Sequence, residues 1–118
     1  MSNAVNAPID LRDRSLEFSR EIIHFLKQVP RNDLTQPVIN QLIRSSTGVG
    51  ANFIEAKNAG SKRDFRNKVL ISKKEASETL YWLQLLEEFT ALAALQKLQA
   101  ECQEIVLILQ KIINTLGH

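Results

Sequence analysis

The chain has 118 residues and a mass of 13.4 kDa, with 44% apolar and 24% charged residues, one cysteine, four glycines and three prolines. That is one domain of ordinary globular composition: too short for a two-domain enzyme with an interdomain cleft, too apolar for disorder and too poor in cysteine for a disulfide scaffold. The formal net charge is only +2, and the longest wholly apolar stretches, residues 91–95 and 105–109, fall far short of the roughly 20 residues that span a bilayer.

The N-terminus has neither a basic start nor an apolar h-region, so residues 1–10 are expected to be a flexible tail rather than a secretion signal. With one unpaired cysteine, this predicts a cytoplasmic protein with no membrane partner. From Leu11 the apolar positions take on helical spacing. Leu11, Ser15, Phe18, Ile22, Phe25 and Val29 alternate steps of four and three until Pro30, which predicts a helix over about 12–29. Thr35 is the expected cap of a second helix over 36–59. Pro37 sits in its first turn, where a missing N–H is harmless, and Val38, Leu42, Ser45, Val49, Phe53 and Ala56 carry the seam to Gly60.

Ser61 and Asp64 have the spacing of a capping box and open a third helix over 62–89, with its seam at Phe65, Val69, Ser72, Ala76, Thr79, Leu83 and Leu86. Residues 89–92 supply the break before a fourth helix over 93–116, whose seam is Leu95, Leu98, Cys102, Ile105, Leu109, Ile112 and Leu116. Between Ser61 and Leu116 there is neither glycine nor proline, so this half has none of the turn signals that a β-sandwich or barrel needs. The expected fold is an all-α, antiparallel up-down-up-down four-helix bundle forming a single domain over 11–118.

Charge is distributed unevenly. Residues 1–60 have a net of +1, residues 61–74 a net of +5, and residues 75–118 a net of −4. A phosphate-binding patch is therefore expected at Lys57, Lys62, Arg63, Arg66 and Lys73, because polyanion affinity rests on clustered Lys and Arg. Basic residues at a helix start oppose the macrodipole, which argues for a role beyond stability; the alternative is a solvated helix end. Phe65 is the one aromatic residue in the patch and its seam position assigns it to the core, which disfavours stacking of single-stranded bases.

A second polar group is expected between the second and third helices. Arg44, Gly48, Asn52 and Glu55 share a stripe beside the apolar seam, and Lys74, Glu75 and Glu78 flank the facing one. The structural reading is a clamp that fixes helix register; the functional alternative is a small-molecule pocket around Arg44, Asn52 and Glu55.

Enzyme constellations are thin, and no enzyme, metal or cofactor is expected. Glu21 and His24 have Glu-x-x-His spacing, but a di-iron bundle needs a second such pair and the other histidine is His118. Gly48-Val49-Gly50 lacks the preceding strand and following Gly-Lys of a nucleotide loop. Cys102 lies on a seam, where a thiol is packing rather than nucleophile.

Residues 105–109 are apolar all the way round, and Tyr81 and Leu85 form a second stripe on the third helix. A bundle helix needs only one apolar face, so a self-association surface is expected at Tyr81, Trp82, Leu85, Val106, Leu107 and Ile113.

Three segments then carry a family resemblance. They are residues 41–56 with Arg44 and an Ala-Asn-x-x-Glu-Ala element, the Ser-x-x-Asp-Phe start at 61–65, and the Lys-Glu-Ala-x-Glu-Thr helix at 74–79. In this order they resemble the bacterial 23S rRNA intervening-sequence proteins, also called S23 ribosomal protein-like, over about residues 12–116. The resemblance implies a four-helix bundle in a ring-like homo-oligomer, commonly a pentamer, and a link to RNA or a nucleoprotein, since some members are encoded inside 23S rRNA gene insertions and distant basic relatives serve diversity-generating retroelements. The net charge of +2 departs from those basic relatives. Two function classes follow: an oligomeric scaffold that meets RNA or a nucleoprotein through the basic patch, or a protein–protein interaction module with no nucleic-acid role.

Overall fold

Side chains that take up free N–H groups set where the helices begin. In the computed structural model, which describes residues 10–117, Asp10 accepts a hydrogen bond from the Arg12 amide at 3.0 Å and opens α1, Leu11–Leu26. The tail expected over residues 1–10 lies, apart from Asp10, outside the described residues. Ser61 likewise accepts from the Asp64 amide at 3.1 Å and opens α3, Lys62–Leu85, as the capping-box spacing predicts.

The start of α2, Thr35–Lys57, differs from expectation. Asn32 is the residue that caps it, accepting from the amides of Leu34 and Thr35 at 2.9 and 3.0 Å. Thr35 reciprocates by accepting from the Asn32 amide at 3.0 Å, and it donates its hydroxyl proton to the Pro30 carbonyl at 2.8 Å. This is a capping box with threonine in the place of glutamate, and it also ties down the loop from α1.

The first three helices end short of the sequence expectation. α1 stops at Leu26 rather than 29, because the amides of Gln28 and Val29 turn to carbonyls three residues back. α2 stops at Lys57, where Asn58 folds its amide and side chain onto the Ile54 carbonyl. α3 gives way at Leu85 to a 3-10 turn, Leu86–Glu88. Glu87 and Glu88 there oppose the negative end of the helix, while buried Leu86 and half-buried Phe89 pin the corner to the core. α4, Ala93–Leu116, has the bounds the pattern predicts.

The four helices share one apolar core, and the described residues contain no strand. Residue pairs across each interface run with rising numbers on one helix and falling numbers on the next. Ser15 meets Gly50 and Ser19 meets Ser46 between α1 and α2. Val49 meets Ser72 and Glu55 meets Lys68 between α2 and α3. Ala76 meets Cys102 and Leu83 meets Gln99 between α3 and α4. Most seam positions are buried as the pattern predicts, with Phe18, Ile22, Leu42, Val49, Val69, Leu83, Ile105 and Leu109 almost wholly covered, while Phe65, Ile112 and Leu116 at the seam ends are half-buried. None of the described helices is long and apolar enough to cross a membrane.

Among the described residues seven buried positions are hydroxyl residues, and most bond a carbonyl of their own or the neighbouring helix. Ser72 donates to the Val49 carbonyl at 2.7 Å, Thr79 donates to Ser45 Oγ at 2.8 Å, and Ser19 donates to the Ser46 carbonyl at 3.2 Å. Ser15 Oγ is the exception: it is buried against α2 without a partner. An unsatisfied buried hydroxyl is a net liability. Ser15→Ala is therefore expected to raise stability by about 1 kcal/mol, read as a higher urea midpoint with an unchanged slope.

Candidate functional site

The end of the molecule that carries the basic segment is also where α3 begins and where α2 and α4 finish. The negative ends of two helices thus lie beside the first turn of α3, which explains why that turn tolerates lysine and arginine. Arg66 is half-buried, and its Nε donates to the Gly117 carbonyl at 3.2 Å, closing the end of α4. Gly117 adopts a φ of 70°, a left-handed conformation that suits glycine at a helix end.

The five predicted patch residues therefore do not act alike. Lys57 reaches Asp10 at 3.7 Å, Arg66 caps α4, and Lys73 is half-buried along α3. Lys62 and Arg63 are exposed and form no ion pair among the described residues. They are the two cations of the patch most available to a partner.

The expected clamp is present in altered form. Arg44 bridges to both carboxylates of α3, donating to Glu75 at 3.3 Å and to Glu78 in a closer contact, while its Nε donates to Gln41 at 2.9 Å. Trp82 Nε1 donates to the same Glu78 oxygen at 3.1 Å. The Glu78 carboxyl is held below its ordinary value by the Trp82 hydrogen bond first and the Arg44 bond second. The Arg44 guanidinium is pushed up, chiefly by its bond to Glu78. Gly48 makes room for this: a Cβ there would lie 3.2 Å from the Glu75 side chain.

Three predicted members stand apart from the clamp. Asn52 turns back to donate to the Gly48 carbonyl at 2.8 Å, because a short amide on a helix finds its own backbone first. Glu55 pairs with Lys68 at 2.7 Å, about three turns away from Arg44 along the interface. Lys74 is exposed and contributes only its charge near Glu78. The small-molecule pocket imagined around Arg44, Asn52 and Glu55 is thus dispersed along α2.

Sequence reasoning missed a second clamp, the paired bonds from Arg14 to Glu101 at 2.7 and 2.8 Å, which join α1 to α4. Hydrogen bonding to Glu101 raises the Arg14 pKa against the opposing effect of burial. Its sequence signal was available: each residue immediately precedes a seam position, Ser15 and Cys102. Trp82 was also assigned to an interface rather than to the Arg44 clamp.

Of the six predicted interface residues, Tyr81 and Leu107 are exposed, at 58% and 62%. Trp82, Leu85 and Val106 are half-buried and pack on the core. Ile113 is a correction, being only 7% exposed: it takes the core place that the seam assigned to Ile112, four residues after Leu109, and Ile112 is left half-buried beside it. Further exposed apolar residues are Leu16 and Ile23 on α1, Ile43 and Ile54 on α2, Leu70 and Ile71 on α3, and Leu34 and Leu92 in the connections.

Chemistry-bearing groups are sparse. Glu21 and His24 line an open cleft of about 260 Å³ between α1 and α4, floored by Phe25 and Leu98. No cluster of three or more metal-ligating side chains occurs among the described residues. Cys102 is buried, its thiol donates to the Ala76 carbonyl at 3.2 Å, and burial pushes its pKa up to about 12.

This geometry defines a small all-α protein whose polar side chains chiefly hold four helices to one another. The chain belongs to the 23S rRNA-intervening sequence protein family, whose model matches residues 8–111. A crystal structure at 1.70 Å of a protein of unknown function from the S23 ribosomal protein family of Bacteroides thetaiotaomicron VPI-5482 aligns with a TM-score of 0.80 at 37% identity, covering 88% of this chain and 98% of that one. No curated protein matches the chain.

Two outcomes are expected from the site. The folded-state pKa of Glu78 lies below its ordinary value of 4.5, so its contribution to stability is complete above that value and is lost as pH falls through the folded pKa. Glu78→Gln should flatten the decline of the urea midpoint between about pH 5 and pH 3. Cys102 should resist a thiol reagent at about pH 8 in the folded protein and react once urea exposes it.

Proposed function

We propose that this protein is a non-enzymatic scaffold of the cytoplasm: an up-down-up-down bundle that assembles into a ring-like homo-oligomer, a pentamer by family resemblance, and presents its basic end to RNA or a nucleoprotein. The observation that carries the RNA arm is the exposed Lys62–Arg63 pair on the first turn of α3, inside a segment of net charge +5. Two cations held next to each other at a helix end suit a phosphate backbone, where each neutralised phosphate releases a counterion. The family description, which names the intervening sequence of 23S rRNA, supports the same partner class. The reversed pairing from helix to helix supports the up-down topology, and the exposed Tyr81 and Leu107 support self-association.

A second reading has its own support. Because Lys57 and Arg66 are engaged within the chain, the cationic end has a structural duty, which favours a protein–protein interaction module without a nucleic-acid role.

Titration of a structured RNA at two salt concentrations decides between them. Replacing Lys62 and Arg63 together by alanine is expected to weaken binding about tenfold or more and to lower the salt slope by about two. Unchanged affinity and slope would overturn the RNA reading and leave the interaction module. Light scattering of the wild-type chain tests the assembly, and a 13.4 kDa particle at micromolar concentration would overturn the ring.

A further inference from the structure

Two helices of the bundle carry a second seam that the core does not use, and the two are alike in spacing. On α2 it is Gln36, Asn40, Ile43, Thr47, Gly50 and Ile54; on α4 it is Gln96, Ala100, Gln103, Leu107, Gln110 and Asn114. Both advance by steps of four, three, four, three and four, the pattern of a coiled-coil seam. Each spans 19 residues, about 27 Å from first to last at 1.5 Å per residue.

Neither seam contains a charge, in a chain where 24% of residues are charged. Most charges of both helices are directed elsewhere, while Glu104 and Lys111, three residues before and four after Leu107, stay exposed and border the α4 seam. On α2, Arg44 and Glu55 reach across to α3. On α4, Glu101 pairs with Arg14 of α1 and Lys97 lines the cleft facing α1. A stripe free of charge along its length with charges only at its border, Glu104 and Lys111 beside Leu107 and Arg12 beside the α2 seam, has the make-up of an interface core and its rim.

The relief of the two surfaces is complementary. The α4 seam rises at Leu107, which is 62% exposed. The α2 seam dips where Thr47, Gly50 and Ala51 succeed one another, and together with Arg12, Leu16, Ser19 and Ile54 they line a largely apolar cavity of about 260 Å³ between α1 and α2. Gly50 keeps this dip shallow-walled by letting α1 come close, since a Cβ there would lie 3.3 Å from that of Ser15.

Knob and hole also lie at the same height along the molecule. Cys102 is level with Ala76, so Leu107, five residues further on, is level with about Ile71. Ser72, beside it, bonds the Val49 carbonyl, within the Thr47–Ala51 stretch.

We infer that Leu107 of one copy inserts into the Thr47–Gly50–Ala51 hole of the next. This rests on the self-assembly reading above and specifies its contact. Because donor and acceptor are different surfaces, the contact is heterologous, and because they stand at one height it adds rotation without translation, which closes a ring rather than a filament. Copies so related all point the same way, so their Lys62–Arg63 pairs gather on one rim.

The test uses two full-length variants, Leu107→Arg, which spoils the knob, and Ala51→Arg, which spoils the hole. Each alone is expected to run as a monomer in light scattering while keeping the wild-type helical circular dichroism. Mixed in equal amounts they should form a one-to-one pair of twice the monomer mass, because one retains a sound hole and the other a sound knob. Thr47→Arg and Gln103→Arg repeat the cross on the same surfaces should either first variant fail to fold. An Ala51→Arg chain that assembles like wild type, or a mixture that stays monomeric, overturns the inference. A monomeric wild type instead fails the assembly reading on which it rests.

Discussion

Between α2 and α3 the facing residues are small, Ser45, Gly48 and Val49 against Ser72, Ala76 and Thr79, and the close approach this permits is the constraint from which the other contacts follow. Only at that distance can Ser72 reach the Val49 carbonyl and Thr79 reach Ser45. Only with Gly48 lacking a side chain can Glu75 lie over α2 and meet Arg44. The hydroxyls satisfy polar groups that would otherwise be buried without partners, and in doing so they fix the register more sharply than interchangeable aliphatic contacts would.

Much of this was legible in the sequence. The helix count and the buried seams follow from apolar steps of three and four, and α3 was correctly opened at Ser61 because the Ser-x-x-Asp spacing has a direct physical meaning. The ends were less legible. α1 continues in pattern to Val29 but turns at Leu26, since a 3-10 turn buries Val29 just as a helix would. Asn32 and Thr35 cap reciprocally, so the hydroxyl two residues before Pro37 is only half of the box and the asparagine three residues upstream is the other half.

The site was legible by helix face but not by partner. Periodicity places Arg44, Asn52 and Glu55 on one stripe and cannot say which facing residue each one reaches. Distance along the interface separates them, so Arg44 joins Glu75 and Glu78 while Glu55 joins Lys68. The same limit applies to the basic segment. Its excess charge is plain from composition, but the division into cations that complete neighbouring helix ends and cations left facing solvent depends on where α2 and α4 finish.

Trp82 is the one tryptophan of the chain, and its indole sits on the carboxylate that Arg44 also holds, edge-on to Tyr81 at 4.9 Å between ring centres. The molecule thus contains an intrinsic optical reporter at the α2–α3 seam, while its single thiol reports on the α3–α4 seam from inside the core. Two probes at two interfaces of one small bundle allow loosening of one helix pair to be told apart from collapse of the whole.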